Sequence, residues 1–247
     1  MKRSEKSQHA TRLDVELYRR GLARSRSEAS DLIARKKVLV NGSVVAKAST
    51  GILESDKLEV PTPSLYVSRA GEKLAFALEE FKVDVRGLVA LDIGSSTGGF
   101  TDCLLQNGIE KVISVDVGTN QFSAKLLEDA RVELHESTDV RRFSISSPVD
   151  LLVMDVSFIS LTLVLPKAFE FLKVGGRAIV LVKPQFEVGM ELAKKYQGVI
   201  ADERLQKDML EKIKSSALAA GFKIQRESVS PIEGEKGNRE FLLLLQK

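Results

Sequence analysis

The sequence predicts an α/β protein in two parts: a small α+β module over residues 1–60, then a seven-stranded, mostly parallel sheet over residues 68–247 that closes on an antiparallel hairpin. Three observations carry this. From residue 89 onward, short apolar runs alternate with amphipathic stretches, the rhythm that builds a parallel sheet with helices on both faces. The last two apolar runs are joined only by Ser230-Pro-Ile-Glu-Gly-Glu-Lys-Gly237, too short for a crossover helix, so they must pair antiparallel. Finally, Pro61-Thr-Pro63 can continue neither a helix nor a ladder, and it divides two stretches of different charge. Residues 1–66 hold 13 Lys/Arg against 8 Asp/Glu, whereas 67–247 hold 24 against 26.

The 247 residues, 43% of them hydrophobic, suffice for one full core and one small one. No apolar run approaches the ~18 residues of a membrane span, so no stable membrane insertion is expected. Nor does an apolar segment follow the basic start as a secretory signal would. The lone Cys103 has no partner for a disulfide, and two histidines cannot complete a zinc site with it. No metal is expected, and a reducing cytoplasm is the expected home. The positive surplus at the front suits either a polyanionic partner or a solvated surface.

Taken in order, residues 1–10 read as a flexible polar, basic arm, and residues 61–67 as a linker between the two parts. Leu13 and Leu17 predict a short helix stopped at Gly21. Ser25-Arg-Ser-Glu28 reads as a capping box opening a second helix, with Ala29, Leu32 and Ile33 inward and Arg35, Lys36 and Lys37 in its last turn. Val38-Leu-Val40, the turn pair Asn41-Gly42 and Val44-Val45 make a hairpin, and residues 57–60 add a strand. The strings Arg12-Leu-Asp14, Ser25-Arg-Ser-Glu-Ala29, Arg35-Lys-Lys-Val-Leu-Val-Asn-Gly42 and Lys47 resemble the S4-like RNA-binding domain. That resemblance implies that Arg12, Arg26, Lys36, Lys37 and Lys47 contact RNA phosphates. The structural alternative is that they are helix-end cations offsetting the dipole.

In the second part, Ala70, Leu74, Ala77, Leu78 and Phe81 recur at helical spacing. Lys73 sits at the margin of that stripe, where a lysine usually snorkels to water. Strands are predicted at 89–93, 111–116, 131–134, 149–154, 177–183, 223–229 and 239–245, and helices near 100–107, 121–128, 161–172 and 203–220. Ligands of such a sheet bind at the carboxyl ends of its strands.

The first of those ends is Leu91-Asp-Ile-Gly-Ser-Ser-Thr-Gly-Gly-Phe100. Its glycines allow a tight turn that presents backbone N–H groups to a ligand. Their positions, 94, 98 and 99, do not match the dinucleotide fingerprint, and the lysine of a P-loop is missing. Gly94-Ser95-Ser96-Thr97-Gly98 does match a nucleophile elbow, which would need a histidine partner from His9 or His135. A fourth reading also uses Asp92: the loop resembles motif I of the class I S-adenosylmethionine (SAM) methyltransferases. Asp116, at the end of the next strand and 22 positions past Gly94, fits an acid that grips ribose hydroxyls.

Asp155 and Lys183 each follow a wholly apolar run, so each belongs at the sheet edge, where burial is costly unless charges pair. Glu240 starts the last predicted strand. Lys73, Asp155, Lys183 and Glu240 fall in the order of the Lys-Asp-Lys-Glu tetrad of the FtsJ-like ribose 2′-O-methyltransferases. Five strings resemble the TlyA-type proteins, often labelled hemolysin A, which join an S4-like domain to this fold: Val67-Ser-Arg-Ala-Gly-Glu-Lys-Leu74, Asp92-Ile-Gly-Ser-Ser-Thr-Gly-Gly-Phe-Thr-Asp102, Asp155-Val-Ser-Phe-Ile-Ser-Leu161, Lys183-Pro-Gln-Phe-Glu187 and Gly237-Asn-Arg-Glu-Phe241. The family's Arg-x-Trp-Val-like linker element is reduced here to Ser64-Leu-Tyr-Val67.

The resemblance implies the Rossmann-like class I methyltransferase fold, SAM as cofactor, and a cytidine ribose in the RNA of one or both ribosomal subunits as substrate. It places Asp92, Gly94 and Ser96 at the methionine end, Asp116 at the ribose and Asp139 at the adenine amino group, with Ser95, Gly98, Gly99 and Val117 as further cofactor contacts. Ser137-Thr-Asp139 reads equally well as a helix cap. The four ionic residues would be catalytic, with Lys183 as base or as the group that steers the hydroxyl. Enzymes that methylate base amines carry Asn/Asp-Pro-Pro-Tyr/Phe after the fourth strand; Asp155-Val-Ser-Phe158 lacks the prolines, which favours oxygen as acceptor. The competing classes are a membrane-active hemolysin and an RNA-binding protein with a silent methyltransferase fold.

Overall fold

A computed structural model describes residues 10–60, 65–234 and 236–247. The arm over residues 1–9 and the Pro61-Thr-Pro63 boundary lie outside the described residues. The chain divides into two compact units, Met1–Val67 and Ser68–Lys247.

In the first unit, strand β1 (Thr11–Arg12) leads into α1 (Leu13–Arg19) and α2 (Arg26–Ala34). Then come β2 (Leu39–Val40), β3 (Ser43–Val44), β4 (Gly51–Ile52) and β5 (Leu58–Glu59). β1 pairs antiparallel with β4, while β2 sits between β3 and β5. The β1–β4 pair escapes sequence reading because two residues are too few to show alternation. Leu13, Leu17, Ala29, Leu32, Ile33 and Ile52 form the small core. Asn41 and Gly42, at φ 51° and 80°, make the left-handed turn between β2 and β3.

Two expectations here need correction. The capping box is half formed: the Glu28 N–H donates to Ser25 Oγ at 3.1 Å, but the Glu28 carboxylate accepts from the Arg24 N–H at 2.5 Å, not from Ser25. And Lys36 and Lys37 lie beyond α2, which ends at Ala34; Lys36 itself takes φ 56°. Their backbone N–H groups close the helix end, donating to the Ile33 and Leu32 carbonyls at 2.9 and 3.0 Å.

The second unit opens with α3 (Arg69–Phe81), β6 (Val89–Ile93), α4 (Gly99–Gln106), β7 (Lys111–Val115), α5 (Ala124–Leu127) and β8 (Val132–His135). It continues through β9 (Val149–Met154), α6 (Leu165–Phe171), β10 (Leu172–Val182), α7 (Pro184–Glu187), α8 (Met190–Lys195), α9 (Glu203–Ala219), β11 (Lys223–Val229) and β12 (Phe241–Gln246). The sheet runs β11-β12-β10-β9-β6-β7-β8, with β12 antiparallel to both its neighbours and every pair from β10 to β8 parallel. Its central strands β6, β9 and β12 and the second half of β10 are almost wholly apolar because both faces are covered, whereas the edge strand β11 is polar and largely exposed. Leu91, Ile93, Val180 and Leu243 join Leu165, Ala168, Ile213 and Ala217 of α6 and α9 in one cluster. The alternate residues Ala90 and Asp92 point the other way, where Thr101 of α4 meets Asp92 and α4 packs on α3.

The predicted strands and helices recur with shifted ends. β10 starts at Leu172, at an irregular register before Arg177, and ends one residue short of Lys183. β12 begins at Phe241, so Glu240 precedes the strand and does not start it. Helices α7 and α8 are new. α8 buries no residue, so it leaves no apolar stripe in the sequence to find.

Candidate active site

The glycine bend between β6 and α4 is built by packing. Gly94 has φ 83°, and a Cβ there would meet the Asp155 carbonyl oxygen at 2.7 Å, so the backbone of the loop after β9 can approach only a glycine. Gly98, at φ 91°, caps α4 in the left-handed region. The N–H groups of the bend are largely engaged within the protein. Those of Gly94 and Ser95 donate to the Val115 carbonyl, that of Ser96 to Asp116 Oδ2 at 2.8 Å, and that of Gly98 to the Ser95 carbonyl. The expectation of a row of bare donors is therefore corrected at these four positions; the bend shapes a cleft wall.

The cleft lies at the carboxyl ends of β6, β7 and β9 and has a volume of about 310 Å³. Gly94, Ser96, Asp116, Val117, Asp139 and Asp155 line it, between apolar walls that include Ile93, Val140, Val156 and Ile159. Four residues assigned to the cofactor by sequence, Asp92, Ser95, Gly98 and Gly99, do not line it. Asp92 lies beneath, fully buried, accepting from Thr101 Oγ1 at 2.7 Å while Thr101 also meets Ser114 Oγ at 2.8 Å. Burial raises its carboxyl to about 7 against the partial relief from the Thr101 hydroxyl, and the charge of Asp155 adds to the rise. Asp92 Oδ1 and Ser95 Oγ are buried with no hydrogen-bonding partner among the described residues.

Asp116 is held by backbone: besides Ser96, the Gly118 N–H donates to its Oδ1 at 2.7 Å. Asp139 does act as a helix cap, accepting from the Arg141 N–H at 3.0 Å while the Arg141 guanidinium lies 2.6 Å from Oδ2. That guanidinium holds the Asp139 carboxyl down at about 2.

The four ionic residues form two pairs. Lys73, expected to reach water, is instead buried with its Nζ 2.5 Å from Glu240 Oε2, across 167 residues of chain. Lys73 is 6% exposed, and Leu74 and Ala77 of the same helix are fully buried. Lys183 Nζ lies 2.5 Å from Asp155 Oδ1, at an angle too steep for a hydrogen bond, and donates to Ser157 Oγ at 3.0 Å. Asp155 and Ser157 both line the cleft, so Lys183 stands at its mouth. Gln185, two residues after Lys183 on the turn that Lys183 caps, donates from Nε2 to Glu240 Oε1 at 3.1 Å. Beside them Phe158, 92% exposed at φ 62°, holds its ring 5.1 Å from that of Phe186. Sequence reasoning missed Thr101, Gln185 and the exposed ring of Phe158. All three lie inside strings it had singled out, but a single turn of helix at Gln185, the first turn of α4 at Thr101 and the loop at Phe158 carry too little periodicity to tell which way a side chain points.

In the first unit, Arg12 and Arg26 both reach Asp14, at 2.9 and 3.1 Å. Arg12 first, then Arg26, pulls that carboxyl down to about 2. Lys36, Lys37 and Lys47 are exposed and make no ion pair among the described residues. Of the five predicted phosphate contacts, two are thus anchored to a carboxylate and three are free. Among the described residues there is no metal-binding cluster, and no helix is long and apolar enough to cross a membrane.

A mostly parallel seven-stranded sheet, closed by an antiparallel strand and cleft at the ends of its central strands, is the fold of solved SAM-dependent methyltransferases. This protein has that fold. More narrowly, the FtsJ-like methyltransferase profile matches residues 66–247 and the S4 domain profile residues 11–58, so the chain belongs to the FtsJ-like methyltransferase family and carries an S4 domain ahead of the enzyme. It is 41% identical over 235 residues to hemolysin A of Brachyspira hyodysenteriae, covering 94% of this chain and 98% of that one. It is 40% identical over 240 residues to the 16S/23S rRNA (cytidine-2′-O)-methyltransferase TlyA of Mycobacterium tuberculosis, covering 95% and 89%. A solved Streptococcus thermophilus structure with a provisional hemolysin label superposes with a TM-score of 0.76 at 38% identity, covering 98% and 90%.

Proposed function

We propose that this protein transfers a methyl group from SAM to the ribose 2′-OH of a cytidine in ribosomal RNA, in the cytoplasm. The observation that carries the reading is the Lys183–Asp155 pair beside the cleft, which Asp155 lines, with the buried Lys73–Glu240 pair tied by Gln185 to the helical turn that Lys183 opens.

The cleft suits the cofactor. Its apolar walls can take an adenine ring, the Asp116 carboxylate has lone pairs left for ribose hydroxyls, and the partnerless Asp92 Oδ1 and Ser95 Oγ offer polar atoms beneath the bend. SAM, when bound, supplies a methyl group already activated on a sulfonium. What remains for the protein is to align a hydroxyl in a dry site and to manage one proton. Lys183 Nζ, fixed by Asp155 and Ser157, accepts or steers that proton, while Lys73 and Glu240 complete the charge balance around it. The exposed Phe158 ring offers a stacking face to the target nucleobase. Lys36, Lys37 and Lys47 hold the RNA by its phosphates, as do Arg12 and Arg26.

The test is where the methyl goes. Nuclease digestion and mass spectrometry of RNA methylated by the purified protein should yield 2′-O-methylcytidine. A methyl on a base nitrogen or carbon would refute the reading.

A further inference from the structure

Helix α7 is a single turn, yet it touches three parts of the site. Its N-cap is Lys183. Glu187, 3% exposed, accepts from Ser160 Oγ at 2.5 Å and from the Leu161 N–H at 2.9 Å, which pins the far end of the loop that carries Asp155, Ser157 and Phe158. Gln185 reaches the other way, to Glu240.

Glu240 is 2% exposed and needs both its oxygens satisfied. Lys73 takes Oε2 at 2.5 Å and Gln185 Nε2 takes Oε1 at 3.1 Å. The carboxylate fixes the orientation of the amide, because the reverse orientation would set two oxygens against each other. Gly234 closes the remaining side: a Cβ there would fall 2.5 Å from Glu240 Oε1. Gln185 is thus a donor to Glu240 that sits on the same helical turn as Lys183. Its own Oε1 is buried with no partner among the described residues, so the amide is held by the carboxylate alone.

We propose that Gln185 is a positioning residue for methyl transfer, coupling the Lys73–Glu240 pair to the Lys183–Asp155 pair so that both lysines keep one geometry. This rests on the methyltransferase reading above. A hydrogen bond to a charged partner, once lost, costs the transferring state and leaves cofactor and RNA contacts in place.

The experiment compares Gln185→Met, which keeps the shape and removes the donor, with Gln185→Glu, which keeps the shape and turns the donor into an acceptor. Both are assayed for methyl transfer to unmodified ribosomal subunits, with SAM binding measured by titration calorimetry. The expected result is a fall in kcat of about 10- to 100-fold in both, with KM for RNA and Kd for SAM within about twofold of the wild type. In a Glu240→Gln background, Gln185→Met should add less than about threefold, since the two act as a unit. A kcat within about twofold of wild type for Gln185→Met overturns the proposal, and so does a full multiplicative effect in the Glu240→Gln background. A wild-type protein that binds SAM but methylates no subunit would instead overturn the function on which the proposal rests.

Discussion

The two units treat charge in opposite ways. In the S4 unit most ion pairs are local: Arg12–Asp14 spans two positions, Glu16 takes Arg19 and Arg20 three and four positions on, and Arg26 reaches Asp14 from the next helix. In the methyltransferase unit the pairs that matter join residues brought together only by the folded sheet, Lys73 with Glu240 and Asp155 with Lys183. The contrast extends to the carboxyls themselves. Asp14 and Glu16 are drawn down to about 2 by neighbouring guanidiniums, Arg12 and Arg19 first, whereas Asp92 is pushed up to about 7 by burial. A binding surface can be assembled from a short stretch of chain with its charges paired where they stand; a site for chemistry needs charges held out of water, which takes a whole fold.

The largest effect should come from breaking a distant pair. Lys73→Met leaves the Glu240 carboxylate buried and opposed only by Gln185, at a cost of about 3–5 kcal/mol. Thermal unfolding of the methyltransferase unit should show it; an unchanged midpoint would mean that the pair contributes nothing.

Next is Asp92. In the fold it keeps a proton that the unfolded chain releases above its ordinary value of 3.8, so the contribution of this group to stability is full below 3.8 and is lost as the pH rises through about 7. Asp92→Asn removes the titration and can still accept from Thr101. Urea unfolding at pH 8 should find it more stable than the wild type by a few kcal/mol, roughly in line with the shift, with the gain vanishing near pH 4. A gain of equal size at both pH values would contradict the assignment. The S4 unit should behave in reverse. Asp14 and Glu16 contribute stability that is present above their unfolded values and lost as the pH falls toward about 2.

A smaller effect tests the free cations. Replacing Lys36, Lys37 and Lys47 together by Gln should weaken RNA binding and flatten the slope of log affinity against log salt by about 0.7–0.9 per lysine. If the slope is unchanged, these lysines are surface cations only. The smallest effect should be at the half-formed cap: Ser25→Ala removes one acceptor for the Glu28 N–H, worth about 1 kcal/mol of S4 stability by thermal unfolding.

The same contrast explains what the sequence could show. The alternation of strands and helices, the mostly parallel sheet and the closing hairpin follow from apolar periodicity and connection length, which are properties of short windows. The side-chain partners do not. At a helix margin Lys73 reads as a snorkelling lysine, and only the approach of the β11–β12 connection buries it against Glu240. The bend at 94–99 reads as a row of donors, but β7 and Asp116 take those donors first. Asp139 has two readings from its string; its side chain makes the cap and the residue also lines the cleft. Helices α7 and α8 were silent because one is a single turn and the other buries nothing.

The central claim is that Lys183, at the mouth of the cleft, handles the proton of an RNA hydroxyl. The direct measurement is single-turnover methyl transfer from labelled SAM to unmodified ribosomal subunits, with wild type and Lys183→Ala compared at saturating cofactor. The account predicts a rate lower by about 10²–10⁴-fold in the variant, with SAM still bound. Equal rates would contradict it.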